Sequence, residues 1–267
     1  MNEHAQHTHA AAAELPTDWL LPPGLPAQVG ALMTTRSGGI SEGPFAAMNL
    51  GEFVGDDPAA VAHNRTRLAE LIGAPAVFLK QVHGTNVVRV TKQDAWPRVD
   101  ALHEADACVT TELGLACVIQ TADCLPVLFA APNGAVVGAA HAGWRGLAAG
   151  VLERTLSAVC ELANCAPAEV WAWLGPCIGP RDFEVGPDVL QAFGCSAGPG
   201  ESAPFFRAND NQRWVADLAG LARQRLVAAG VQQAGGGTWP THDSRFFSFR
   251  RDRAVTGRMG AAIWIRA

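Results

Sequence analysis

Thr121-Ala122-Asp123-Cys124-Leu125-Pro126-Val127-Leu128-Phe129-Ala130-Ala131-Pro132-Asn133-Gly134-Ala135-Val136-Val137-Gly138-Ala139-Ala140-His141-Ala142-Gly143-Trp144-Arg145-Gly146 contains two apolar runs, 125–130 and 135–140, on either side of an Asn-Gly pair. That pattern is a strong short-range hairpin signal, because Asn and Gly accept the positive φ that a tight turn demands. Taking Asn133 and Gly134 as the two loop residues sets Cys124 opposite Gly143 and Pro126 opposite His141. Opposed residues share a face, and steps of two preserve it. Cys124 and His141 then become diagonal neighbours at the open end of the hairpin, about 7–8 Å apart by backbone, close enough to share one metal ion. A slip of one residue would send them to opposite faces.

Outward from the hairpin, Gln81-Val82-His83-Gly84 breaks the chain between strands expected over 76–82 and 86–90. Two imidazoles and a thiolate, from His83, His141 and Cys124, form a three-ligand set with which zinc keeps a fourth position open for chemistry. Singly, each residue has a plainer reading. A free cysteine usually packs in a core, which is the expectation for Cys108, Cys117, Cys160, Cys165 and Cys195. A lone histidine more often satisfies a hydrogen bond than holds a metal. The joint position of the three beside glycines, an acid and strand ends is what raises the metal reading.

The remaining elements follow from periodicity and punctuation. A strand over 31–36 runs into the turn Ser37-Gly38-Gly39. Asp57 as N-cap, Pro58 in the first turn and Gly73 as C-cap bound a helix whose apolar face is Val61, Leu68, Leu71 and Ile72, with His63 and Arg65 off that stripe. Strands are expected over 116–121, 171–174 and 261–265, and helices over 147–163, 187–194 and 215–229. Leu152, Leu156, Val159 and Leu162 form the buried stripe of the first of these helices. Neither a repeat nor a linker interrupts 16–267, which reads as a single domain behind a flexible tail, 1–15, with three histidines.

Composition narrows the class. With 49% hydrophobic and 17% charged residues, the 267-residue chain folds around a core. A net charge of −5 argues against a general nucleic-acid binder. No run reaches the roughly 18–20 apolar residues of a membrane span. The first nine residues lack a basic start followed by an apolar stretch, so no secretory leader is expected. Seven cysteines without paired spacing suit a reducing compartment, the cytoplasm.

Taken together, His83 in Gln-Val-His-Gly, Cys124 in Thr-Ala-Asp-Cys and His141 in His-Ala-Gly-Trp-Arg-Gly resemble the motifs of the YfiH/YlmD family. Thr34-Thr35-Arg36-Ser37-Gly38-Gly39, Gly175-Pro176-Cys177-Ile178-Gly179-Pro180 and Thr256-Gly257-Arg258-Met259 match as well, so the likeness runs from about residue 28 to the end. It implies a four-layer α/β/β/α sandwich with mixed sheets, and zinc on His83, Cys124 and His141. Activities attributed to the family are phosphorolysis of adenosine, inosine and 5′-methylthioadenosine, deamination of adenosine, and editing of peptidoglycan precursors that carry a mis-incorporated serine (UDP-MurNAc-L-Ser). Where the family has Tyr before the double arginine, this chain has Phe249.

The family also carries the name of a polyphenol oxidase. A multicopper oxidase needs many histidines, mostly in His-X-His pairs. Outside the tail this chain has His63, His83, His103, His141 and His242 and no such pair, so copper fits less well than zinc. For chemistry on purine nucleosides with phosphate, Asp123 is the candidate for proton transfer, although a turn-forming carboxylate is its plainer role. Arg36, Arg65 and Arg145 are the candidates for holding phosphate, the last in a glycine-flanked turn at a helix N-terminus. Arg245, Arg250, Arg251, Arg253 and Arg258 read as surface groups or partners of Asp243 and Asp252. The competing enzyme reading makes Cys124 the nucleophile of an amide hydrolase, with His83 or His141 as base. A metal-dependent partner or storage protein is the non-enzyme alternative.

Overall fold

The computed structural model describes residues 14–97, 102–198, 200–237 and 243–267; the expected tail falls, apart from its last two residues, outside them. In chain order come β1 (Val29–Met33), α1 (Pro58–Ile72), β2 (Ala76–Val77), β3 (Val87–Arg89), β4 (Ala107–Thr110), β5 (Ala116–Thr121) and β6 (Leu125–Ala130). There follow β7 (Val137–Ala142), α2 (Trp144–Ala149), α3 (Val151–Ala163), β8 (Trp171–Leu174), β9 (Glu184–Val185) and α4 (Pro187–Ala192). The last are β10 (Phe206–Ala208), β11 (Trp214–Ala216), α5 (Leu218–Ala228), β12 (Gln233–Gly236) and β13 (Met259–Ile265).

The hairpin forms in the register read from the sequence, with Leu125 opposite Ala142 and Pro126 opposite His141. Its turn is longer than two residues. Ala131 N–H donates to Val136 O at 3.0 Å and Gly134 N–H to Ala131 O at 2.9 Å, so residues 132–135 span the bend and β7 starts at Val137. Gly134 takes the positive φ of 66°.

β6 and β7 sit in the middle of a six-stranded sheet, β12-β8-β6-β7-β4-β3, stacked on a four-stranded sheet, β1-β13-β5-β2. Both are mixed: β2 with β5, β3 with β4 and β12 with β8 run parallel, the other pairs antiparallel. A small third sheet, β10-β11-β9, lies beyond them. Alternation along each strand builds the layers. Leu128, Val137 and Ala139 meet Met33, Ile119 and Ile263 between the large sheets. Val127 and Phe129 point the other way, onto Leu152, Leu156 and Val159 of α3 and Leu226 of α5. Leu32, Val118 and Ala262 pack against Leu68 of α1. The order of layers is therefore α/β/β/α. Strands covered on both faces read as continuous apolar runs, which is why 116–121 and 125–130 stood out.

α1 is bounded as expected. Asp57 accepts the N–H of Ala59 at 3.0 Å, Pro58 opens the helix and Gly73 closes it at φ 66°. Its buried face differs from the apolar stripe, since Asn64 and Arg65 lie within it beside Ala60, Val61 and Leu68. The helix expected over 147–163 is two helices, α2 and α3, parted by Gly150 at φ 97°. Leu162 is exposed rather than buried. The first residues of the expected 215–229 helix belong to β11, and only Ala76–Val77 of the 76–82 segment is strand. Cys108 and Cys117 fill the inter-sheet core, while Cys160, Cys165 and Cys195 edge the helix-side core. All seven cysteines are free thiols. Among the described residues no helix is long and apolar enough to cross a membrane.

Candidate metal centre

β4 lies beside β7 with Ala107 opposite Ala140, which brings Asp106 next to His141. His141 N–H donates to Asp106 O at 2.7 Å, and His141 Nδ1 is 2.8 Å from Asp106 Oδ1. The same carboxylate accepts the backbone N–H groups of Val82 at 3.1 Å, His83 at 2.9 Å and Gly84 at 2.6 Å. Three successive N–H groups converge on one anion because His83 turns through a positive φ of 62°. Gln81 fastens the other side of this turn to β5, donating to Gln120 O and accepting from Gln120 N, both at 2.8 Å. One buried acid thus carries the backbone of one histidine and the ring of the other.

Cys124 arrives from the opposite side, on the tight connection between β5 and β6, where Asp123 takes φ 82°. Cys124 Sγ lies 3.7 Å from His83 Nε2, and the His83 and His141 rings meet edge-on with centroids 4.8 Å apart. One ligand atom from each of His83, Cys124 and His141 falls within 4.8 Å of the others. Gly143 makes room for this approach: a Cβ there would sit 2.6 Å from His83 Cδ2 and 3.2 Å from Cys124 Sγ. At Gly146 a Cβ would be 2.7 Å from Gly84 O. The two glycines of His-Ala-Gly-Trp-Arg-Gly let the start of α2 press against the His83 turn.

Charge is arranged to suit a cation. Burial pushes the Cys124 thiol up, but the imidazolium of His141 and hydrogen bonds from both histidines outweigh it and bring the thiol down to about 6. Burial pushes His141 down, but the Cys124 thiolate and Asp106 raise it to about 9. Burial also raises Asp106, yet the hydrogen bonds from His141 and the backbone hold it below the usual carboxylate range. In the metal-free protein a thiolate therefore faces an imidazolium. The residues fit a metal ion: with Asp106 on Nδ1, His141 keeps Nε2 for a ligand bond, the arrangement that orients most metal-bound histidines.

The three side chains border a cavity of about 510 Å³, a size typical of small-molecule sites. Asp123, Trp144, Phe183 and Phe249 line it, with Arg250 and Arg258. Asp123 Oδ2 accepts the N–H of Arg250 at 2.6 Å, leaving Oδ1 without a partner among the described residues. Arg250 reaches Glu184 O at 3.1 Å across the Phe183 ring. Arg258 folds onto Thr256 O at 3.0 Å and Gly257 O at 2.9 Å, and no carboxylate lies within ion-pair distance of it among the described residues. Thr121 Oγ1, also on the lining, is buried without a partner among the described residues.

None of the three arginines expected to hold phosphate lines this cavity. Arg65 is 1% exposed, bonded to Glu52 and Leu50 O, and enclosed by the Phe78 and Trp96 rings. Arg36 is spent on Ala46 O at 3.0 Å and lies over Phe247. Arg145 projects outward and stacks on Trp144. Among the described residues, the lysine and arginine side chains of the lining are Lys80, Arg250 and Arg258. Arg245 and Arg251 do pair with Asp243 and Asp252, as expected of that basic cluster. Asp106 is not marked by any motif of the sequence; an acid set within the otherwise apolar segment 105–109 is its one signal.

Two mixed sheets between helical layers, with two imidazoles and a thiolate gathered at strand ends above a cavity, define an α/β/β/α protein with a centre able to hold a metal ion. The chain belongs to the YfiH/YlmD family, whose sequence model, described as multi-copper polyphenol oxidoreductase laccase, matches residues 30–266. It is similar to purine nucleoside phosphorylase YfiH of Escherichia coli strain K12, 46% identical over 90% of this chain and 95% of that one. It is also similar to purine nucleoside phosphorylase PA4543 of Pseudomonas aeruginosa, 45% identical over 93% and 98%. Among solved structures, Neisseria meningitidis protein NMB0706 superposes with a TM-score of 0.83 at 43% identity, covering 93% of this chain and 99% of that one.

Proposed function

We propose that the chain is a zinc-dependent purine nucleoside phosphorylase that takes adenosine, inosine and 5′-methylthioadenosine with phosphate and also deaminates adenosine, working in the cytoplasm. The convergence of Cys124, His83 and His141 on a cavity of nucleoside size carries this reading, in a chain whose relatives bear the phosphorylase name. Zinc is preferred to copper because the cluster offers one mononuclear set of two nitrogens and a thiolate, not the several histidine-rich sites of a multicopper oxidase. Seven free thiols suit a reducing compartment.

His83, Cys124 and His141 would hold the ion, which when bound supplies Lewis acidity toward a substrate oxygen. Arg258, lacking a carboxylate partner among the described residues, and Arg250, on the same lining, supply positive charge for the phosphate nucleophile. Asp123, through Oδ1, would relay to the departing base nitrogen the proton that hydrogen phosphate loses as it attacks the ribose carbon. Trp144, Phe183 and Phe249 present apolar faces for the purine and keep water from it.

A second reading draws on the paired thiolate and imidazolium: Cys124 attacks an amide carbon of a peptidoglycan precursor while His141 protonates the leaving amine. Metal analysis of the purified protein, with a nucleoside panel run with and without phosphate, separates the two. Stoichiometric zinc and phosphate-dependent base release, both lost in Cys124→Ala, are expected. A metal-free protein whose full activity is abolished by thiol alkylation would overturn the zinc reading in favour of the hydrolase.

A further inference from the structure

Arg65 is among the largest fully buried side chains of the molecule, and a guanidinium is enclosed at such a place only when its charge is answered. Its Nη1 lies 3.0 Å from Glu52 Oε2, its Nε donates to Leu50 O at 3.0 Å, and the Phe78 and Trp96 rings stand 4.2 and 4.8 Å from its carbon. Glu52 is 26% exposed and lines the cavity. One carboxylate oxygen is tied to Arg65; the other has no partner among the described residues. The preceding residue, Gly51, abuts Arg258 so closely that a Cβ would lie 2.7 Å from Arg258 Cγ. One wall of the cavity therefore carries a braced acceptor next to a cation that has no carboxylate partner among the described residues.

A carboxylate accepts hydrogen bonds and repels phosphate, so Glu52 needs donors from its ligand. The purine offers different donors in adenine and hypoxanthine, whereas the ribose hydroxyls are common to both. The 2′-hydroxyl is on the carbon next to the one that phosphate attacks and the 3′-hydroxyl on the carbon after it, which matches donors near an anion to the acceptor beside a cation. We infer that Glu52, positioned by Arg65, binds the ribose hydroxyls, so that the protein takes ribonucleosides over their 2′- and 3′-deoxy counterparts; this rests on the nucleoside reading above.

The test uses the zinc-loaded full chain, with calorimetric binding and kcat/KM for adenosine, 2′-deoxyadenosine and 3′-deoxyadenosine at saturating phosphate. A charge-assisted hydrogen bond predicts at least about tenfold weaker binding of one or both deoxy analogues. Glu52→Asp, which keeps a charge for Arg65 but retracts the oxygen, and Glu52→Gln should shrink that ratio to about threefold or less by weakening adenosine, leaving the KM for phosphate unmoved. Equal binding of all three nucleosides by the parent protein, or discrimination that survives in both folded variants, overturns the inference. Discrimination in binding without base release would uphold it while sinking the phosphorylase reading. Base release without discrimination does the reverse.

Discussion

The metal side of the cavity and its charged wall are built by different means. Cys124, Asp106 and His141 stand at or beside the ends of β4, β6 and β7, where ladder register fixes their spacing. Glu52, Arg250 and Arg258 come from two irregular segments joined by side chains. Asn49, fully buried, accepts from Gly51 N and Arg258 N, both at 2.8 Å, and donates to Asp56. Asp252 gathers Ser248 N, Thr256 Oγ1 and Arg251. Register transmits position over a few residues of sequence, whereas the wall depends on contacts between residues about two hundred apart along the chain, as Asn49 and Arg258 are.

The contrast can be tested from the strand side first. Cys124→Ala should empty the metal centre and lower turnover at least about a thousandfold, read by metal analysis and base release. On the proposed reading, zinc would compete with the proton on His141, raised to about 9, but not on Cys124, lowered to about 6. Affinity for zinc should therefore climb by about tenfold per pH unit from 7 and level off above about 9, with one proton released per ion in calorimetry. A pH-independent affinity would contradict the thiolate–imidazolium pair. Asp106→Asn, which places an amide against His141 Nδ1, should weaken zinc by about 10- to 100-fold in a chelator competition.

Changes on the wall should spare the metal. Arg258→Met is expected to raise the KM for phosphate by about tenfold with zinc content unchanged. Loss of zinc in that variant would show that the two regions are not independent. Arg145→Met, exposed and outside the cavity, should shift either constant by less than about twofold.

The same division explains what could be read in advance. The Asn-Gly hairpin, its register and the capped helix 58–72 are set by neighbours in sequence, and they followed from it. Cys124 and His141 inherited their proximity from that register. β9, β10 and β11 are two or three residues long, and β12, Gln-Ala-Gly-Gly, lacks strand character, so only their partners hold them in sheets. Arg65 reads as a phosphate-holding cation off the apolar stripe of its helix because its counter-charge, Glu52, and its enclosing rings come from three other segments. Arg258 reads as a surface group for the converse reason: among the described residues no carboxylate comes to meet it.

Because the single carboxylate of Asp106 steadies the backbone at His83 and the ring of His141, these two donors are held together by the fold itself, with no ion needed to gather them. The grip is thus a product of folding, and a metal ion added to the folded, metal-free molecule should load within ordinary mixing times, with no need to unfold.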